Sequence, residues 1–126
     1  MQYLCLAYYD PEKMDAMAPA DMQALVQQLP AKDAALQQTG HLVWSGSLQG
    51  PKATFGMRPR GGKPAVTDGP YAEAKEMVGG FFVIEAADRE EAIRIASLHP
   101  AATLGEHIGW GIEVHPIGTC SVKTQK

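Results

Sequence analysis

The chain of 126 residues has the length of a single domain, and its composition excludes several classes of protein. Apolar residues make up 45% and charged residues 20% of it, which is typical of a folded globular protein and not of a disordered one. The net charge of −3 argues against a broad nucleic-acid-binding surface, so we expect no direct contact with nucleic acid. Residues 1–126 are therefore predicted to form one domain.

Alternating or continuous apolar patterns predict strands at residues 3–9, 41–48, 81–85 and 112–117, and a hairpin of short strands at residues 53–58 and 64–67. Residues 3–9 and 81–85 are apolar at both parities, as in strands that are covered on both faces. The alternation in the second strand predicts that Leu42 and Trp44 share one face.

Two helical segments separate these strands. Residues 21–38 carry an apolar stripe at helical spacing, and Pro30 inside it must kink or restart the helix because proline lacks an N–H donor. Asp88, followed three residues later by Glu91, has the pattern of a capping box, and the helix it begins must end before Pro100.

The order strand, helix, strand, hairpin, strand, helix, strand predicts an α+β, ferredoxin-like βαββαβ sandwich with an inserted hairpin. Two helices cover only one face of such a sheet. Because the strands at residues 3–9 and 81–85 are apolar on both faces, we expect a second copy of the sheet to cover the other face. The sequence therefore predicts a homodimer.

The cysteines and the apolar segments predict a cytoplasmic protein. Cys5 and Cys120 lie far apart without the pattern of a secreted disulfide framework, so both are predicted to be free thiols. The apolar run at residues 3–9 is too short for the core of a signal peptide and is followed at once by Asp10. No stretch approaches the ~18 apolar residues of a membrane span, and we expect no membrane association.

The most unusual segment is residues 68–76, which reads Asp-Gly-Pro-Tyr-Ala-Glu-Ala-Lys-Glu and is followed by Gly79-Gly80. It resembles the hallmark of the DGPF branch of the YCII-related family, and the similarity extends over residues 3–117. The resemblance implies a ferredoxin-like subunit, a dimeric α/β barrel and no established reaction. It also implies a link to sigma-factor-dependent transcription for some members and a histidine–aspartate pair as a candidate active site.

Asp68 is the first candidate for a catalytic residue, and two interpretations of it stay open. It either sets the turn before Gly69-Pro70 or acts as an acid/base or ligand anchor in a cleft, and the charged residues beside it favour the second. His41 and His99 are the candidate catalytic partners. The histidine spacings match no zinc motif, so no metal and no cofactor are predicted.

The candidate ligand-binding residues are Trp44, Arg58, Tyr71, Glu73, Lys75 and Glu76. Each also has a plain structural interpretation, as a core aromatic or as part of a solvated turn.

The sequence leaves two functions open. In the first, a small polar or anionic molecule binds in a cleft near Asp68, and whether the protein is also an acid/base enzyme stays open. In the second, the protein is a non-enzymatic regulatory or interaction module, with a sigma factor as the partner that the resemblance implies.

Overall fold

The computed structural model describes residues 1–70 and 75–118. The strands are β1 (Gln2–Tyr9), β2 (Leu42–Ser47), β3 (Phe55–Arg60), β4 (Lys63–Asp68), β5 (Met77–Glu85) and β6 (Gly111–Pro116). The helices are α1 (Pro11–Asp15), α2 (Pro19–Val26), α3 (Leu29–Gln38), α4 (Arg89–Ala96) and α5 (Pro100–Thr103), with 3₁₀ turns at Pro51–Ala53 and Glu106–Ile108.

Four strands form one antiparallel sheet in the order β2-β5-β1-β6, and β3 and β4 form a separate two-stranded sheet. The two central strands, β1 and β5, are those whose sequence is apolar at both parities. This arrangement confirms the predicted α+β class and is compatible with a ferredoxin-like fold.

The core lies on one face of the four-stranded sheet, which we call the inner face. Tyr3 and Cys5 of β1 alternate onto it, as do Phe82 and Ile84 of β5. Helices α3 and α4 pack against these side chains through Leu36, Ala92, Ile95 and Ala96. The alternate positions Leu4, Leu6, Phe81 and Val83 lie on the opposite face, which we call the outer face.

The predicted helix at residues 21–38 restarts at Pro30 instead of continuing with a kink. Helix α2 ends at Val26, α3 begins at Leu29, and Pro30 occupies the first turn of α3, where an N–H donor has no partner within the helix. Because α3 is an independent helix of ten residues, it can lie across the inner face and bury Leu36 there.

Helix α4 begins at the predicted N-cap, Asp88, in a variant of the capping box in which Glu91 bonds the residue before the cap instead of the cap itself. The carboxylate of Asp88 accepts from the amide of Glu91 at 2.9 Å, and the carboxylate of Glu91 accepts from the amide of Ala87 at 3.0 Å. The helix ends at Ala96, and the chain then turns through His99 into α5.

The inserted hairpin turns at Gly61 and Gly62, whose φ angles of 59° and 79° are those of a type I′ turn. Pairing places Phe55, Met57 and Val66 on one face of the hairpin, and the side chains of all three are exposed. The predicted hairpin is confirmed, with its first strand shifted by two residues toward the turn and its second strand one residue longer at each end.

The predicted shared face of Leu42 and Trp44 is wrong. In the pairing with β5, Leu42 lies opposite Ile84 but Trp44 lies opposite Val83, so Val43 is an extra residue that forms a β-bulge. The bulge reverses the alternation, so Leu42 packs against the core while Trp44 emerges on the outer face with 64% of its surface exposed.

Two observations bear on the predicted cellular location. Cys5 is a buried free cysteine, and burial raises the pKa of its thiol to about 11, while Cys120 lies outside the described residues. Among the helices of residues 1–70 and 75–118, none has the length and apolar character needed to cross a membrane. A cytoplasmic location stays a prediction.

Candidate functional site

A cavity of about 660 Å³ lies between the inner face of the sheet and helix α3, and it is partly open to solvent. We call it the α3 cavity. Small residues of three strands form its floor: Ala7 of β1, Ser45 and Ser47 of β2, and Gly79 and Gly80 of β5. Because these positions carry little or no side chain, the sheet at this end leaves a space between itself and the helix. The paired glycines noted in the sequence therefore help to create the cavity.

One wall of the α3 cavity is a single stripe of helix α3. The stripe contains Leu29, Asp33, Leu36 and Gln37, whose spacings of four, three and one place them on one helical face. Leu36 is buried, whereas Asp33 and Gln37 are exposed at the rim. The wall is therefore apolar in its depth and polar at the opening.

The other wall comes from the segment between α4 and β6. His99, Pro100, Ala101 and Trp110 line this side, and Tyr9 at the end of β1 adds a further aromatic ring. His99 is the one predicted catalytic residue that lines the cavity.

The environment of His99 selects one tautomer. The amide N–H of Ala101 donates to Nδ1 of His99 at 3.0 Å, so Nδ1 must carry a lone pair and the neutral ring must carry its proton on Nε2. The ring stacks on Phe82 with centroids 4.7 Å apart and planes 4° apart. Burial lowers the pKa of His99, and the negative charge of Asp33 partly opposes this shift.

The lowered pKa favours an uncharged His99 ring at neutral pH, and the hydrogen bond at Nδ1 puts its proton on Nε2, beside the cavity. In this state it donates a hydrogen bond, and it can polarise a carbonyl oxygen. Because Nδ1 is engaged by Ala101, His99 is better suited to donating a hydrogen bond from Nε2 than to accepting a proton.

His41, the other candidate histidine, has structural contacts. Its Nδ1 lies 2.8 Å from the carbonyl oxygen of Glu85 and 3.7 Å from the carboxylate of Glu91. These contacts join the start of β2 to the junction between β5 and α4. His41 is not among the residues that line the α3 cavity.

Asp68 lies at the end of β4, exposed and opposite Phe55. The turn after it is held by the backbone, since the amide of Gly69 donates to the carbonyl of Thr54 at 2.7 Å. The hydroxyl of Thr54 in turn donates to the carbonyl of Gly50 at 3.3 Å, and Gly50 lines the α3 cavity. The base of the hairpin is thus connected to the cavity rim, but Asp68 is not a lining residue, and its catalytic role stays a prediction.

Two predicted ligand-binding residues lie away from the α3 cavity. Trp44 makes an edge-to-face contact with Phe81 on the outer face, with ring centroids 4.9 Å apart. Arg58 is exposed on the hairpin, on the face it shares with Arg60 and Lys63. Neither residue lines the cavity, so ligand contact by either stays a prediction.

The remaining candidates come from the segment that precedes β5. Lys75 and Glu76 are exposed directly before the strand, and neither lines the α3 cavity. Tyr71 and Glu73 lie outside the described residues, and their predicted ligand contacts are therefore untested.

Asp33 was missed in the sequence, although a signal for it exists. It lies four residues after Leu29 and three before Leu36, so it interrupts the apolar stripe of the helix with a carboxylate. A charged residue on the core-facing side of an amphipathic helix is the pattern that identifies it.

A polar cluster that could not be identified from the sequence lies on the outer face of the sheet. Nε2–H of His115 donates to the carboxylate of Glu113 at 2.5 Å, and the hydroxyl of Tyr8 donates to the same carboxylate at 3.2 Å. The hydrogen bond from His115 is the main cause that lowers the pKa of Glu113. Among the residues that the structure describes, no group of three or more His, Cys, Asp and Glu side chains is arranged to hold a metal ion.

The chain is similar in sequence to a known protein family and to a bacterial protein. The sequence profile of the YCII-related domain matches residues 1–109. An uncharacterised protein of Rhizobium meliloti (strain 1021) is 30% identical over 96 residues, which cover 76% of this chain and 77% of that protein. The profile match includes the floor of the α3 cavity, helix α3 and His99, and it ends one residue before Trp110.

Proposed function

The chain belongs to the YCII-related domain family, and we propose that it binds a small polar organic molecule in the α3 cavity, with His99 donating a hydrogen bond to it. The observation that carries the proposal is the His99 ring at the cavity wall, whose Nδ1 accepts from the amide of Ala101 and so leaves Nε2 to donate. We infer from the motif at residues 68–76 that the chain lies within the DGPF branch of this family.

The size and lining of the α3 cavity support ligand binding. Its volume of about 660 Å³ lies within the range of ~300–1,000 Å³ that is usual for small-molecule sites. Apolar side chains such as Leu36 and Phe82 provide burial, while Ser45, Ser47 and His99 supply a few polar groups that orient a ligand.

The enzymatic part of the proposal assigns one role to His99. It donates Nε2–H to a ligand oxygen on which negative charge develops, and its low basicity keeps the ring uncharged before the reaction. The stacking on Phe82 and the hydrogen bond from Ala101 fix the ring, so no reorientation is needed when the charge develops.

The test uses backbone and side-chain NMR with phenethyl alcohol as a neutral probe. We expect the probe to shift the amides of Ala7 and Gly80 and the Nε2–H resonance of His99. Replacing Ala7 with leucine places three carbons above the cavity floor and is expected to abolish these shifts. The matched control is Ala35→Leu, because Ala35 is exposed on α3 and does not line the cavity.

Shifts that persist in Ala7→Leu, or that map only to the hairpin, would contradict binding in the α3 cavity. A His99 ring that carries its proton on Nδ1 would contradict the donor role. Binding that depends on the hairpin and not on the cavity would instead favour the interaction-module alternative. A sigma factor as partner of such a module stays a prediction based on the family resemblance.

We also propose that two copies of the chain pack through their outer faces into a dimeric α/β barrel. The support is the apolar character of that face, where Leu6, Phe81 and Val83 alternate with core residues and Trp44 is 64% exposed. Light scattering is expected to give twice the 13.5 kDa of one chain. The substitution Val83→Asp, which places a charge at the centre of this face, is expected to give monomers. A wild-type monomer at all micromolar concentrations would refute the dimer.

A further inference from the structure

The charges around the α3 cavity favour one class of ligand. Asp33 is the only lining residue in the described part of the chain with a charged side chain at neutral pH, because His99 is held neutral. No lysine or arginine of residues 1–70 and 75–118 lines the cavity. The nearest cationic residue along α3, Lys32, adjoins Asp33 in sequence but is not part of the lining. An anionic ligand would therefore enter beside a carboxylate without a counter-charge.

The position of Asp33 defines where a cationic group would lie. Asp33 and Gln37 are one helical turn apart on the stripe of α3, and both are exposed at the cavity rim. Leu36 on the same stripe is buried in the depth of the cavity. A ligand with an apolar body and a charged end would thus place its body against Leu36 and its charged end at Asp33 and Gln37.

The aromatic side chains of the lining are consistent with the same ligand class. Tyr9 and Trp110 present rings to the cavity, and ring faces attract cations while offering nothing to anions. His99 on the same wall supplies a hydrogen-bond donor and not a charge, so it matches a neutral oxygen on the ligand.

We propose that the ligand of the α3 cavity is a small amphipathic amine with a hydrogen-bond-accepting oxygen, its ammonium group at Asp33 and Gln37 and its oxygen at His99. This inference rests on the proposed function, because it names the chemical class of the molecule that the cavity binds. It replaces the polar or anionic molecule that the sequence predicted near Asp68 with a cationic one.

The test compares three probes that share a phenyl body and differ in charge: phenethylamine, phenethyl alcohol and hydrocinnamate. Affinities are measured by amide NMR titration at neutral pH and low salt. An exposed ion pair between a carboxylate and an ammonium group contributes up to ~1 kcal/mol to binding. Phenethylamine gains this attraction to Asp33, whereas the carboxylate of hydrocinnamate is repelled by it. We therefore expect phenethylamine to bind about tenfold more tightly than hydrocinnamate, with the alcohol between them.

Two variants separate the local effect of Asp33 from the net charge of the protein. Asp33→Asn keeps the shape of the side chain and is expected to bring the three affinities to within about threefold of one another. The matched control is Asp21→Asn, an exposed position on α2 outside the cavity lining, which removes the same charge and is expected to leave the preference for the amine unchanged.

The outcomes distinguish this inference from the function on which it rests. Equal or tighter binding of hydrocinnamate, or an amine preference that survives Asp33→Asn, would overturn the cationic ligand class while binding in the α3 cavity remained intact. Absence of binding by all three probes, or shifts that map outside the cavity, would overturn both proposals.

Discussion

The cavity above Ala7 yields a stability prediction that does not depend on knowing the ligand. Ala7 lies on the inner face of β1, where its neighbour on β5 is Gly80 and its neighbour on β6 is Ile112. The Ala7→Leu substitution adds three carbon atoms above a floor that has little side-chain volume on the β5 side. We expect the new side chain to enter the α3 cavity without displacing the backbone.

The expected magnitude follows from burial. Three carbons at about 0.8 kcal/mol each would contribute about 2.4 kcal/mol if they were fully removed from water. Ordering a leucine side chain costs about 0.5–1 kcal/mol, and the cavity is partly open, so part of the gain is lost. The net expectation is a stabilisation of about 1 kcal/mol, or a rise in Tm of about 4 °C.

Urea denaturation of both proteins at one fixed protein concentration measures this difference in the free energy of unfolding. The Ala35→Leu control, on the exposed side of α3, is expected to change the free energy of unfolding by less than about 0.5 kcal/mol. A loss of 1 kcal/mol or more in Ala7→Leu, with the control unchanged, would show that the space above Ala7 is filled in solution. The α3 cavity would then be refuted as a binding site.

Three further predictions concern the rest of the molecule. Asp88→Ala removes the N-cap of α4 and is expected to lower the free energy of unfolding by about 1 kcal/mol in the same assay, whereas an unchanged value would mean that the cap contributes nothing. Because the pKa of His99 is lower in the folded than in the unfolded chain, protonation favours unfolding. Wild type should therefore lose stability relative to His99→Asn as the pH falls below the unfolded value near 6.5, and a constant difference between the two would contradict the shift. In a Cys120→Ser background, the Cys5 thiol is expected to react with a disulfide reagent only as fast as the fold opens, and rapid reaction of the native protein would contradict its burial.

Elements with a complete local signal were predictable from the sequence. The capping box at Asp88 satisfies its hydrogen bonds within four residues, and the turn at Gly61-Gly62 needs only two positive φ angles, so neither depends on distant parts of the chain. The break at Pro30 is local as well. The sequence placed it correctly but left the choice between kink and restart open, because that choice depends on how α3 packs against the sheet.

Strand register was not predictable in the same way. The pairing with β5 makes Val43 a bulge in β2. Every side chain after Leu42 therefore lies on the face opposite to the one that simple alternation predicts. The bulge depends on hydrogen bonds to a strand about 40 residues away, and no local pattern in β2 encodes it. Trp44 therefore moved from a predicted core or cavity position to the outer face.

The candidate site was likewise predictable only in part. The sequence by itself determined the α+β class, the inserted hairpin, the start of α4 and the presence of two adjacent glycines in the central strand β5, because these follow from backbone conformation and from the period of apolar residues. It also included His99 among its candidates but did not rank it above His41 or Asp68. Only the tertiary structure shows that His99, and not His41 or Asp68, lines the α3 cavity, because that cavity is made from three strands, one helix and the segment after α4. Local chemistry supplies the groups, and long-range packing determines which of them share a space.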